Sequence, residues 1–329
     1  MVSCESDVNG TKEGNNIMLV SIIIPCYNSE NALDKVVELT LAEFKKMPQY
    51  TCEFILVNDY SKDNTFAKIS ELAKKYPCVK GINLARNFGQ HNALMAAMNY
   101  ATGDLIVGMD DDLQTHPSQM HKLLEKLLEG YDLVYGYYPQ QKSSFFKKIS
   151  SSLNRTTSRI LLGRPKNVIS SNYWACTKLV RDEVIKYTNY NPYLDAIFYR
   201  VTSNIANVPV EHFKREQGSS NYTFKKMVRL WMAYWNFSVV PLRISSLMGV
   251  VFSIMGFIGF IITLVRQLIA PSSQMGWAST MCALFLFFGF VLLVLGIMGE
   301  YLGKIMLSIN NTPQYIVRET VNIPATKKD

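Results

Sequence analysis

The chain has 329 residues, 34 basic against 26 acidic side chains for a net charge of +8, and 48% hydrophobic but only 18% charged residues. That mixture excludes a disordered chain, a collagen-like repeat and a small disulfide scaffold. The charges are unevenly spread: between Arg243 and Glu300, Arg266 is the single charged residue in 56 positions, which predicts two membrane spans. Cys4, Cys26, Cys52, Cys78, Cys176 and Cys282 form no C-x-x-C pair and lie in no zinc-like spacing with histidine, so they read as reduced thiols on a cytosolic side.

Residues 1–16 are polar and lack the basic start and apolar run of a signal peptide, so they read as a disordered leader. From Met18 short β-branched runs alternate with stretches of helical length. Strands are predicted at Met18–Ile24, Glu53–Asn58, Val79–Leu84, Asp104–Met109 and Asp132–Gly136. Helices are predicted to start at Ser29, Asp63, Gly89 and Pro117. This order predicts an α/β domain with a mostly parallel sheet covered on both faces. Such sheets bind ligands beyond the carboxyl ends of their strands.

Three of those ends are polar: Pro25-Cys26-Tyr27-Asn28, Asn58-Asp59-Tyr60-Ser61 and Asp110-Asp111-Asp112-Leu113-Gln114. No G-x-G-x-x-G follows a strand, and Gly299–Lys304 lacks the P-loop spacing, which argues against a nicotinamide enzyme or an NTPase. Adjacent aspartates at a buried strand end repel one another unless a cation sits among them, and hard ions such as Mg²⁺ or Mn²⁺ favour these oxygens. On spacing alone two readings stay open: a metal site in which Asp110 and Asp112 share an ion while Asp111 points away, or a simple turn ahead of the Pro117 helix.

The second half is membrane-directed. Tyr222–Leu242 mixes Trp231, Trp235 and Phe237 with Lys225, Lys226 and Arg229, as expected of a helix lying among lipid headgroups. The spans are predicted at 244–265 and 277–299, joined by a short link containing Pro271. Lys225, Lys226, Arg229, Arg243, Lys304 and Arg318 flank them against Arg266 in the link, which puts both ends in the cytosol. A basic aromatic stretch beside a span points to membrane and not to nucleic acid. The glycines of the spans, Gly249, Gly256, Gly259, Gly289 and Gly296, read as ordinary membrane-helix glycines or as points of close helix contact.

Further strings complete a pattern: Ala85-Arg86-Asn87-Phe88-Gly89-Gln90-His91-Asn92-Ala93, Arg215-Glu216-Gln217-Gly218-Ser219-Ser220-Asn221-Tyr222, Gly299-Glu300-Tyr301-Leu302-Gly303-Lys304 and Pro313-Gln314-Tyr315-Ile316-Val317-Arg318-Glu319. With Ile24–Glu30, Leu56–Thr65 and Asp110–Gln114, these resemble the family-2 glycosyltransferases of the GT-A fold, in the branch that glycosylates polyprenyl phosphates. Within it the chain is most similar to bacterial undecaprenyl-phosphate glucosyl- and formamidoarabinosyltransferases, and more distantly to dolichol-phosphate mannose synthase. The resemblance implies a cytosolic catalytic domain over 17–221, a juxtamembrane helix over 222–242, two transmembrane helices within 243–303 and a cytosolic tail over 304–329, all in the inner membrane.

The roles it implies are specific. Asp110 and Asp112 would hold Mg²⁺ or Mn²⁺ with Gln114. Pro25, Tyr27, Asn28, Glu30, Val57, Asp59, Arg86 and Asp111 would lie on the side of the nucleotide-sugar donor, expected to be UDP-linked. Arg215 and Ser219, with Lys147, Lys148 and Ser151, would meet the phosphate of the polyprenyl acceptor. Arg215 would join Asp110 and Asp112 as a catalytic residue in an inverting displacement. The nucleophile is an anionic phosphate oxygen, so no general base is required, and His91 and His116 read as incidental. A homo-oligomer accords with the resemblance. The chain departs from the pattern at Ser29, Asn58, Tyr60, Tyr137-Tyr138-Pro139, Ser171 and Asn221, mostly on the sugar and acceptor side. The competing readings are a processive polysaccharide synthase, which would carry Q-x-x-R-W and more spans, and a catalytically silent membrane scaffold.

Overall fold

The structure is a computed structural model that describes residues 17–139, 157–211, 240–269 and 276–323. The leader, Lys147, Lys148, Ser151, Arg215, Ser219 and nearly all of the predicted juxtamembrane helix lie outside the described residues. Two compact units are distinguished: residues 1–159, 163–222 and 313–329 form one, and residues 160–162 and 223–312 the other.

The first unit is built on one sheet. Its strands are β1 (Met18–Cys26), β2 (Tyr50–Asn58), β3 (Val79–Leu84), β4 (Leu105–Gly108), β5 (Leu133–Tyr137), β6 (Trp174–Thr177), β7 (Ile205–Pro209) and β8 (Val317–Val321). They lie in the order β7-β5-β6-β4-β1-β2-β3-β8. The centre, β3-β2-β1-β4, is parallel throughout, while β6 runs antiparallel to both β4 and β5, and β8 runs antiparallel to β3. The five predicted strands are thus present, and three further ones, β6, β7 and β8, join them.

Both faces of the central strands are apolar, which is why they read as continuous hydrophobic runs. Val20, Ile22, Ile24 and Cys26 of β1 pack with Phe54 and Leu56 against α1 (Leu33–Phe44), α2 (Thr65–Lys75) and α4 (Met120–Leu128). The alternate residues Ile23, Ile55 and Val57 are equally buried on the other face, where α3 (Gln90–Tyr100) packs on β1 and β2. Pro117–Gln119 forms a short 3₁₀ turn leading into α4. Two further helices, α5 (Lys178–Val184) and α6 (Leu194–Val201), follow β6. Helices α1 and α2 begin two to four residues later than predicted, because Ser29, Glu30 and Asp63 are spent on loop hydrogen bonds.

One buried carboxylate ties the sheet together below the strand ends. Glu53 accepts from Ser21 Oγ at 2.5 Å and from the Thr102 N–H at 2.7 Å, and pairs with Lys80 at 2.5 Å. Burial alone would raise its carboxyl, but the hydrogen bonds from Lys80, Ser21 and Thr102 hold it below the usual range.

The second unit contains α7 (Val240–Ile269) and α8 (Trp277–Ile309), of 30 and 33 residues, about 45 and 50 Å long at ~1.5 Å per residue. The predicted spans fall inside these helices. Phe252 of α7 meets Phe290 of α8, ring centroids 5.0 Å apart. Among the described residues one segment, Phe287–Ile309, is long and apolar enough to cross a bilayer. Positions Gly249, Gly289 and Gly296 have no atom within 4 Å of an added Cβ, so close helix contact is not made there among the described residues.

Replacing Glu53 with alanine leaves Lys80, Ser21 and the Thr102 N–H without their buried acceptor and is expected to cost about 3–5 kcal/mol. The pH dependence has a definite sign. A carboxyl lowered in the fold stabilises above its unfolded value, and that gain is lost as pH falls through the folded value. The melting-temperature gap between wild type and Glu53→Ala should therefore close in acid. A gap worth less than about 1 kcal/mol, or one independent of pH, would contradict this account.

Candidate active site

The carboxyl ends of β1, β2 and β4 open into a cleft of about 390 Å³, lined by Pro25, Cys26, Tyr27, Asp59, Asn87, Gly89, Gln90 and the three aspartates Asp110, Asp111 and Asp112. The sheet places them there directly. The parallel register sets Pro25 beside Val57 and Cys26 beside Asn58, so the two strands end together. The aspartates follow β4 after buried Met109, and the loop is then pinned by Leu113, buried at φ +57°. A left-handed conformation costs a leucine roughly 1–2 kcal/mol, a strain that its burial in the core offsets.

Among the described residues, each aspartate accepts from at least one neutral donor. Asp59 accepts from the backbone N–H groups of Phe88 and Gly89 at 2.7 and 2.9 Å, fixing the start of α3. Gly89 stands at φ +91°, a conformation glycine adopts without penalty. Asp110 accepts from Gln90 Nε2 at 3.0 Å and from Asn172 Nδ2 at 2.8 Å. Asp111 accepts from the Ser29 hydroxyl, and Asp112 from the Gln114 N–H at 3.0 Å. Burial raises the carboxyls of Asp59 and Asp111, with the charge of Asp112 adding to the second. Burial, with Asp110 and Asp112 nearby, also pushes the Tyr138 phenol up to about 12.

Asp110 and Asp112 both line the cleft, and their hard oxygens fit a divalent ion of the magnesium type, which takes one or two carboxylates and draws further ligands from substrate phosphates. Among the described residues no three His, Cys, Asp or Glu side chains converge as a ready-made cage.

Of the donor-side residues expected from the sequence, Pro25, Tyr27, Asp59, Asp110, Asp111 and Asp112 come together in the cleft, and Asn28, Glu30, Val57 and Arg86 do not line it. Asn28 is bonded across the loops, its N–H to Ser61 Oγ and its Oδ1 from the Lys62 N–H, each at 3.0 Å. Glu30 accepts from the N–H and Nδ2 of Asn64 ahead of α2. Val57 is wholly buried, and Arg86 stacks on Phe88, its guanidinium 4.7 Å from the ring centroid. Gln114 is not among the cleft residues, although its N–H orients Asp112.

The sequence reading missed Asn87, Gly89, Gln90 and Asn172. The first three sit in the quoted Ala85–Ala93 string, where that reading singled out Arg86. Asn172 carried no signal, since its placement depends on an unexpected strand.

A second, narrow recess adjoins the cleft and shares Gln90 and Asp110 with it; His91, Ser171, Asn172, Trp174, Leu194 and Asp195 also line it. Its geometry rests on Gly108. An added Cβ there would come within 2.3 Å of the Trp174 ring, so only glycine lets the indole lie across β4. Trp174 in turn packs edge-on against Phe198 of α6, centroids 4.9 Å apart. Asp195, in the first turn of α6, accepts from the Tyr135 hydroxyl at 2.8 Å, and burial pushes its carboxyl up to about 6. His91 lies against Tyr193, and burial lowers its imidazole to about 4, so it is neutral across the physiological range.

Asp195 yields a signed expectation. A carboxyl raised in the fold contributes stability below its unfolded value that is lost as pH rises through the folded value. Relative to Asp195→Asn, which retains an acceptor for Tyr135, the wild type should lose melting temperature between about pH 4 and 6 and keep a constant deficit above 7. Parallel pH-melting curves check this, and superimposable curves would contradict it.

A family model described as "Glycosyl transferase family 2" matches residues 21–188. An undecaprenyl-phosphate 4-deoxy-4-formamido-L-arabinose transferase of Proteus mirabilis (strain HI4320) is 30% identical, over 94% of this chain and 96% of its own length. A Bacillus subtilis (strain 168) protein described as "Uncharacterized glycosyltransferase YkcC" is 33% identical, over 92% of this chain and 94% of its own length. Among solved structures, glucosyl-3-phosphoglycerate synthase from Mycobacterium tuberculosis in complex with Mn²⁺, UDP and phosphoglyceric acid is similar at a TM-score of 0.49 and 19% identity, covering 66% of this chain and 77% of that one.

Proposed function

We propose that the chain, a glycosyltransferase that belongs to glycosyl transferase family 2, uses a catalytic domain of the GT-A kind to transfer a sugar from a nucleotide donor, UDP-linked, to undecaprenyl phosphate with inversion at the anomeric carbon. The observation that carries this reading is the cleft itself, in which Asp110, Asp111 and Asp112 at the end of β4 face Pro25, Tyr27 and Asp59 at the ends of β1 and β2. Full-length similarity to a transferase named for an undecaprenyl-phosphate acceptor supports the choice of acceptor.

In this reading the nucleoside lies along Pro25, Tyr27 and Asp59, and the diphosphate lies over the aspartates. Asp110 and Asp112, with Gln114 beside them, hold Mg²⁺ or Mn²⁺, which when bound offsets the negative charge that builds on the leaving diphosphate. The recess beyond Asp110 has room for about one water molecule, so the sugar lies at its mouth, beside Gln90, Ser171 and Asn172. The Asp110 carboxylate is then poised between two amides that hold it in place and also offer hydrogen bonds to hydroxyls. The acceptor phosphate oxygen is already anionic, so the chain's task is to bring two anions together, not to deprotonate a hydroxyl. Neutral His91 accords with a site that needs no base. Arg215 and Ser219, with Lys147, Lys148 and Ser151, supply the cationic and hydroxyl contacts for that phosphate.

The membrane arrangement follows from the same reading. Helices α7 and α8 cross the bilayer as a hairpin, the basic aromatic segment over 222–242 meets the headgroup layer, and the catalytic unit and both termini stay cytosolic. The clustering of Lys225, Lys226, Arg229, Arg243, Lys304 and Arg318 at the ends of the pair, against Arg266 between them, supports this topology.

Membranes containing the protein, incubated with nucleotide sugars and undecaprenyl phosphate, should yield a lipid-linked monosaccharide detectable by mass spectrometry. Asp112→Ala should lower its formation by roughly 10²–10³-fold, and chelation should have a comparable effect. Undiminished product from either treatment would sink the metal-dependent mechanism.

A further inference from the structure

The tail beyond α8 returns to the catalytic unit as β8, alongside β3 on the nucleotide side of the sheet. It is seated firmly at both ends. Gln314 Nε2 donates to the carbonyls of Tyr187 and Asn189 at 2.7 and 2.9 Å, and Asn322 Nδ2 donates to those of Ala73 and Val79 at 2.5 and 3.0 Å. Between these anchors Glu319, exposed on β8, lies directly across from Asn83 of β3 in the register. Its Oε1 accepts from Asn83 Nδ2 at 2.7 Å. Asn83 Oδ1 accepts from Asn58 Nδ2 at 2.8 Å, Asn58 Oδ1 from the Ser61 hydroxyl at 2.5 Å, and Ser61 Oγ from the Asn28 N–H at 3.0 Å.

The direction of this relay is fixed chemically. Ionised Glu319 can only accept, so Asn83 must turn its amino group to the tail and its oxygen to Asn58, which leaves the Asn58 oxygen for Ser61. The relay ends on two loops that hold non-glycine residues in the left-handed region, Asn28 at φ +55° and Tyr60 at φ +57°. Such residues persist only where their surroundings over-determine them. The ring of Tyr60 also carries Arg318 of β8, its guanidinium 5.8 Å from the centroid. Both loops adjoin the cleft, through Tyr27 on one side and Asp59 on the other.

We propose that Glu319 is a remote positioning residue for donor binding: the tail strand sets the two nucleotide-side loops through the directional relay Glu319–Asn83–Asn58–Ser61–Asn28. The consequence for the donor rests on the functional reading above; the consequence for the loops does not. The relay gives a physical role to Asn58, one of the positions where the chain departs from its family. An aspartate there would compete with Glu319 for the amino group of Asn83, so asparagine at 58 and glutamate at 319 form a matched pair.

The test uses the full-length protein and reads two quantities, amide hydrogen exchange of peptides spanning 27–31 and 59–63, and the donor KM and kcat. Glu319→Ala should speed exchange in both loops and raise the donor KM about fivefold with kcat unchanged. Glu319→Gln, whose Oε1 can still accept from Asn83, should restore both. Asn58→Asp should behave like the alanine variant or worse. The double variant Asn58→Asp/Glu319→Gln should recover, because Asn83 can flip, donating to Asp at 58 and accepting from Gln at 319. Unchanged loop exchange in Glu319→Ala, or a double variant no better than Asn58→Asp alone, would overturn the proposal. Failure of the wild type to use any nucleotide sugar would sink the functional reading instead, with the exchange data still deciding the relay.

Discussion

Crowding several carboxylates at the ends of buried parallel strands is the constraint from which the rest of this site follows. Asp59, Asp110, Asp111 and Asp112 share one cleft, where burial raises the carboxyls of Asp59 and Asp111 and the charge of Asp112 adds to the second. Backbone N–H groups, amides and a hydroxyl hold them in place: Phe88 and Gly89 for Asp59, Gln90 and Asn172 for Asp110, Ser29 for Asp111, Gln114 for Asp112. Such donors orient the oxygens. Carboxylates held in this way suit a divalent cation, and a cation in turn suits a diphosphate.

The surrounding fold is arranged to supply those donors. Gly89 lets the chain enter α3 with its N–H aimed at Asp59, and Gln90, the next residue, reaches Asp110. Gly108 admits the Trp174 ring, and Asn172, two residues before it, closes on the other oxygen of Asp110. The sheet therefore contributes from both halves: parallel strands place the acids, and antiparallel β6 brings a partner from much later in the chain. Residue 195 marks a different use of an acid, a buried carboxyl bonded to Tyr135 at the edge of the same recess.

Much of this was legible in the sequence, for physical reasons that also explain what was not. Strands β1 to β5 announce themselves through runs of apolar and β-branched residues, most continuous in β1 and β4, which lie at the centre of the sheet and are buried on both faces. Trp174–Thr177 is only four residues long, Ile205–Pro209 ends in a proline, and Val317–Val321 alternates with charges and lies past two long apolar helices, so none of the three stood out. Three adjacent acids after β4 were conspicuous without any partner in view. Asn172 and Glu319 were not, because each gains its meaning from a contact with a residue 62 or 236 positions away. Glu30 illustrates the converse: its place in a familiar string suggested a donor contact, while its carboxylate is bonded to Asn64.

If the aspartate cleft takes a nucleoside diphosphate together with a divalent ion, UDP binding must depend on that ion, which calorimetric titration of the detergent-solubilised protein with UDP, with and without Mn²⁺, measures. Saturable one-to-one binding in the presence of the ion, weakened by at least about 1.4 kcal/mol (tenfold) when it is chelated, is the predicted result. Equal affinity with and without the ion, or no binding of the nucleotide in either case, would contradict it.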